Sequence, residues 1–146
     1  MKTSNELRFN PMWKETYEIV EYIYGKIVDL ISNFPDEQWN TASKLRNAAS
    51  DSLFYVSLAV GNISEMSGEY DWNYARKYLF LLQSMYIFAT KQKFLELEPE
   101  IIVKIDKLLR EIEVQIKQSK RKEEERNKKE LERWLEKYRL WLKIQK

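Results

Sequence analysis

The 146-residue chain contains no cysteine and no histidine. Without cysteine there are no disulfides and no thiolate chemistry, and a reducing, cytoplasmic setting is the expectation. Without histidine the chain loses the commonest metal ligand and the usual general base near neutral pH. Glycine and proline number three each, too few for the frequent turns of a β-sandwich but enough for long helices. Long apolar runs are missing too. The best candidate, LFYVSLAV at 53–60, falls far short of the ~18 residues that span a bilayer. The opening MKTSNELRFNPMWK lacks the apolar centre of a secretion signal. No membrane role and no bound cofactor are expected.

What is present is 44% apolar and 33% charged residues, a composition that suits one helical domain with a real core. The net charge of +2 hides an asymmetry. Residues 117–146 hold 12 of the 25 Lys and Arg against 6 of the 23 Asp and Glu, a net of +6. Residues 1–116 keep 13 basic and 17 acidic side chains, a net of −4. An acidic body with a basic arm is implied, and the arm is where an anionic partner would bind.

Periodicity divides the chain into an N-terminal arm (1–9), a helical body (10–116) and a charged C-terminal extension (117–146). Asn10-Pro11 reads as N-cap and first helical residue. Trp13, Tyr17, Val20, Tyr24, Ile27 and Ile31 form one stripe, widened by Ile19, Ile23 and Leu30. Phe34-Pro35 stops this helix. The segment from 34 to 64 reads as a second helix, with a seam of Ala42, Leu45, Ala49, Ser52, Val56, Ala59 and Ile63 that admits a close neighbour. Leu53, Tyr55, Leu58 and Val60 lie off the seam. After a turn at Ser67-Gly68, Asp71 is expected to cap a third helix with the stripe Trp72, Ala75, Leu79, Leu82, Tyr86 and Ala89. Pro99 opens a fourth, with Ile101, Ile105, Leu108, Ile112 and Ile116. KQSKRKEEERNKKE then has no apolar residue; it either extends the fourth helix or acts as a spacer before an amphipathic helix. The fold expected is all-α, an antiparallel four-helix bundle with a basic amphipathic C-terminal helical extension.

Catalytic constellations are weak. The Glu-x-x-His pairs of a di-metal bundle cannot be built without histidine. Glu65, Glu69 and Asp71 are the one cluster suited to magnesium, and a solvated loop explains them far better. Ser50 and Ser52 flank Asp51 but have no base to activate them. The expectation is a non-enzyme with neither catalytic nor metal-binding residues.

Basic residues offer more. Lys44 and Arg46, Arg76 and Lys77, and Lys104 and Lys107 are candidate phosphate contacts on the body, although a solvated face has the same pattern. In the extension, Lys120, Arg121, Lys122, Arg126, Lys128 and Lys129 precede Arg133, Lys137, Arg139 and Lys143, with Trp134, Tyr138 and Trp141 interleaved. Cations give salt-sensitive affinity for phosphates, and the rings can stack on unpaired bases. The stripe of Leu131, Trp134, Leu135, Tyr138, Trp141 and Leu142 also fits docking into a protein groove or self-association, or a helix lying on a membrane surface.

In pattern and order, residues 13–118 resemble the superfamily of small helical proteins that includes the accessory variability determinant (Avd) of diversity-generating retroelements and the proteins of 23S rRNA intervening sequences. The resemblance rests on MWKETYEIVEYIYGKIVDLISNFP, the Phe34-Pro35-Asp36-Glu37-Gln38 turn, SKLRNAASDSLFYVSLAVGN, and ARKYLFLLQSMYIFATKQKFLELEPEIIVKIDKLLREI. SLFYVSLAVGNIS lacks the Pro and Glu-Gly of the intervening-sequence branch, so the Avd branch is the nearer one. This resemblance implies a non-enzymatic homo-oligomer, pentameric in the family, that binds a reverse transcriptase and RNA or cDNA. An adaptor docking one protein through the Trp/Leu helix is the alternative.

Overall fold

The computed structural model describes residues 4–61 and 68–145, and every long element among them is an α-helix. The helices are α1 (Ser4–Phe9), α2 (Pro11–Asn33), α3 (Thr41–Gly61), α4 (Gly68–Lys91) and α5 (Pro99–Gln145). The N-terminal arm is therefore partly helical, and α1 packs on α2 and α3. The contacts among the long helices run in a cycle: α2 meets α3, α3 meets α4, α4 meets α5 and α5 returns to α2.

Asn10 caps α2 as expected, its side-chain oxygen accepting the amides of Met12 and Trp13 at 3.0 and 3.1 Å. The buried stripe of α2 differs from the expected one. Thr16, Ile19, Val20, Ile23, Ile27 and Leu30 face the core, while Tyr17 and Tyr24 are 45% and 38% exposed. The residues taken as a second face thus hold the centre. Tyrosine carries a hydroxyl that favours water, so it moves to the flank when an isoleucine one or two positions away can replace it.

The second helix begins later than the periodicity suggested. Pro35–Glu37 forms one 3-10 turn and α3 starts at Thr41, whose hydroxyl and amide both donate to the Glu37 carboxylate at 2.6 and 3.3 Å. The small-residue seam is present: Ala42, Ala48, Ala49 and Ser52 are buried with Leu45 and Val56. Ser52 donates to the Ala48 carbonyl at 2.6 Å, so its hydroxyl enters the core satisfied. Val60, placed off the seam by the sequence pattern, is buried, whereas Ala59 is only partly so. Ile63, Glu65 and Ser67 lie outside the described residues. Trp13 Nε1 donates to Ser57 Oγ at 2.9 Å, joining the start of α2 to the end of α3.

In α4 and α5 the buried sets coincide with the expected stripes, apart from one addition. That addition corrects the role of Asp71: α4 starts at Gly68, so Asp71 is a buried first-turn residue rather than an N-cap. A carboxylate suits that place because the helix N-terminus is electropositive. Gln83 ties α4 to α5 by donating to the Ile102 carbonyl (3.2 Å) and Asp106 Oδ1 (2.8 Å). Tyr86 is fully buried; its hydroxyl lies 3.3 Å from that of Tyr22 and accepts the Glu98 amide at 3.0 Å. Burial, then the bond to Tyr86, pushes the Tyr22 phenol well above the usual tyrosine range.

The connection from α4 to α5 is a Schellman turn. Lys93 donates its amide to the Thr90 carbonyl (3.1 Å) and Phe94 donates to Ala89 (2.9 Å), while Lys93 sits at φ 62°. Phe94 then tilts against Phe34 with ring centroids 4.9 Å apart, closing this end of the core.

Candidate interaction surface on the projecting helix

Helix α5 holds 47 residues, roughly 70 Å at 1.5 Å per residue. Its buried positions stop at Ile116. Among the described residues, the last ties to the body are Ser119, beside Gly68, and Lys120, whose Nζ lies 3.7 Å from Glu69, while Lys122, Glu123 and Arg126 still line a cleft with Asn10, Met12 and Trp72. From residue 120 to 145 every side chain is exposed. There is no spacer followed by a separate helix. The two merge because the stretch contains no glycine or proline and consists of strong helix formers. Glu124 and Lys128, and Glu125 and Lys129, add favourable i,i+4 spacing.

On this rod the six apolar residues singled out by sequence share one face. Leu131, Trp134, Leu135, Tyr138, Trp141 and Leu142 are between 38% and 59% exposed. Trp134 and Tyr138 stack at 5.6 Å with planes 1° apart, and Tyr138 and Trp141 at 6.1 Å and 20°. The rings thus form a three-rung ladder with one side open to solvent. Arg121, Lys122, Arg126, Lys128, Lys129, Arg133, Lys137, Arg139 and Lys143 are exposed along the same rod. Among the described residues, no Lys or Arg beyond 120 forms an ion pair.

The body's cations are arranged differently. Lys107 bridges Glu15 at 3.1 Å and Glu111 at 3.9 Å, and Lys104 meets Glu100 at 3.5 Å. The hydrogen bond and charge of Glu15 hold the Lys107 ammonium above the usual lysine range. Arg76 donates to the Asn73 side chain at 3.2 Å, and Lys77 lies over the rings of Tyr74 and Tyr78 at 5.6 and 5.4 Å. Lys44 and Arg46 sit on the first turns of α3, the former exposed and the latter half-buried. Four of the body's six candidates, Arg76, Lys77, Lys104 and Lys107, are thus engaged with neighbours in the body.

Sequence reading missed a tyrosine cluster between α3 and α4. Tyr55 stacks on Tyr74 at 5.0 Å and on Tyr78 at 5.5 Å, and Tyr70 leans on Tyr74 at 4.6 Å. Burial among the rings, then the neighbouring Tyr78, raises the Tyr55 phenol above its ordinary value. Four-residue spacing of Tyr70, Tyr74 and Tyr78 was the available signal, since it puts three rings on one helix face.

Among the described residues, no group of three or more acidic side chains is placed to hold a metal ion, and no helix is long and apolar enough to cross a membrane. No protein-family model matches the chain, and neither does any curated protein or solved structure.

Proposed function

We propose that this chain is a non-catalytic, oligomeric accessory protein in which an antiparallel four-helix bundle, residues 10–116, carries a nucleic-acid-binding arm. Following the resemblance to Avd, its partners are a reverse transcriptase and the RNA or cDNA that enzyme handles. One observation supports this reading above others: the cations and aromatic rings of residues 121–145 stand exposed together, whereas Lys104 and Lys107 of the body are engaged in ion pairs. A rod with free cations neutralises phosphates, and rings with an open edge stack on bases.

The test is RNA binding across a salt series, with the full chain and a variant carrying Lys120, Lys122, Lys128 and Lys129 as glutamine. Log affinity should fall linearly with log salt, and the variant's slope should be shallower by about 0.7–0.9 per phosphate contact removed. Equal slopes for both chains would defeat the reading, as would no binding at low salt. The exposed Leu/Trp stripe favours a second reading, an adaptor that docks one protein partner. That reading requires Trp134→Ala with Trp141→Ala to abolish capture of the partner while RNA affinity stays unchanged.

A further inference from the structure

We infer that the projecting half of α5 pairs with the same segment of a second copy, antiparallel and centred near residue 136. Leu131 and Tyr138 occupy one seven-residue register, Trp134 and Trp141 the next core register, and Leu135 and Leu142 widen the seam on one side. Antiparallel pairing sets Leu131 against Trp141 of the second copy, and Trp134 against its Tyr138, so a large side chain always faces a different one.

The charges choose this orientation. Along one edge of the stripe lie Glu130 and Lys137, opposite in sign and seven residues apart. A two-fold axis near residue 136 brings Glu130 beside Lys137 of the second copy, and symmetry repeats the contact. Leu135 meets Leu142 twice on the remaining flank. Parallel pairing would instead set Glu130 and Lys137 against Leu135 and Leu142, leaving the charges without complements.

Size and sterics agree. The six stripe side chains are between 38% and 59% exposed. Covering them on both copies removes on the order of 1,000 Å², about the lower limit for a specific interface. Ile116 lies 20 residues from the axis, so the two bodies sit about 60 Å apart and do not collide.

This pairing is separate from phosphate contact by the rod's cations, but it covers Trp134, Tyr138 and Trp141, whose rings then pack on the second copy and not on bases. A monomer that binds RNA would sink the pairing together with the oligomeric part of the accessory reading, and a dimer that ignores RNA would sink only its nucleic-acid part. The experiment combines sedimentation equilibrium with spin-label distances on the full chain, which has no native cysteine to interfere. The mass should double from 17.8 kDa as concentration rises. Trp134→Ala with Trp141→Ala should weaken association at least tenfold. Glu130→Lys or Lys137→Glu alone should weaken it several-fold, and the two together should restore it, because the swap rebuilds both contacts. Labels at Glu136→Cys should lie level with each other across the pair, and labels at Lys122→Cys about 40 Å further apart along it. A chain that remains monomeric at high micromolar concentration overturns the inference. So does a dimer indifferent to the two tryptophans, a charge swap without rescue, or equal label distances at the two positions.

Discussion

Residues 99–116 and residues 117–145 belong to one unbroken helix, yet they answer to different forces. The first half puts Ile101, Ile105, Leu108, Ile112 and Ile116 into the core, and its charged residues pair with their neighbours. The second half has an apolar stripe of similar spacing that stays exposed, with no buried position among the described residues. In the first half tertiary burial makes the helix; in the second, propensity and i,i+4 spacing hold it. An apolar stripe kept where it stabilises no core has its use outside the body.

The sharpest way to break the contrast is to remove one large apolar residue from each half. Ile112→Ala should cost about 2–5 kcal/mol in urea unfolding, through lost burial plus a cavity. Trp134→Ala, measured on dilute chain where self-association is negligible, should shift stability by no more than about 0.5 kcal/mol. A large loss at Trp134 would mean that the projecting half folds back on the body.

Polar burial in the body comes next. Tyr86→Phe deletes the hydroxyl that accepts the Glu98 amide and faces Tyr22. The expected cost is about 1 kcal/mol, because the partly buried Glu98 amide loses its acceptor. Unchanged stability would show that water replaces the hydroxyl at the head of α5.

The two halves also differ in how legible they were. In α4 and α5 the stripes Trp72 to Ala89 and Ile101 to Ile116 keep steps of three and four without a break, so that phase could be read even though Phe80, Leu81, Phe88 and Val103 stand exposed on other faces. In α2 apolar or aromatic residues occupy most faces, two phases fit, and only packing selected Ile19 and Ile23 over Tyr17 and Tyr24. The continuity of α5 could be read from the absence of any stop residue. Spacing along the chain could not reveal that Lys107 meets Glu15, 92 positions away, or that Tyr55 stacks on α4. Asp71 misled because its residue type marks a cap, while the helix had already begun three residues earlier. For the projecting half, sequence supplied every exposed cation and ring of the candidate surface.

A smaller effect sharpens the contrast at the entry to α5. Lys93 adopts φ 62° at a Schellman position where glycine is usual. Lys93→Gly relieves the Cβ crowding of that conformation and should stabilise the body by about 1 kcal/mol. Thermal unfolding would show a rise of a few degrees. A loss of stability would mean that the greater freedom of glycine in the unfolded chain outweighs the relieved crowding.

The smallest expected effect concerns pH, and it separates the paired charges of the body from the exposed ones of the rod. Burial, then the nearby Glu15 carboxylate, pushes the Glu111 carboxyl above its ordinary value, although Lys107 pulls the other way. A carboxyl with a raised folded-state value binds its proton more tightly when folded. Its contribution is fully present below the unfolded value, near pH 4.3, and is lost as pH rises through the higher folded one. Glu111→Gln should therefore leave the body slightly more stable than the parent at neutral pH. The difference should fade as pH falls through that window, because the parent's carboxyl then takes up its proton. Glu130→Gln on the rod, measured on the same dilute chain at neutral pH, should change stability by no more than about 0.5 kcal/mol. If Glu111→Gln instead destabilises the body at neutral pH, its ion pair with Lys107 outweighs the burial, and the charge network of the body depends on Glu111 as well as Glu15.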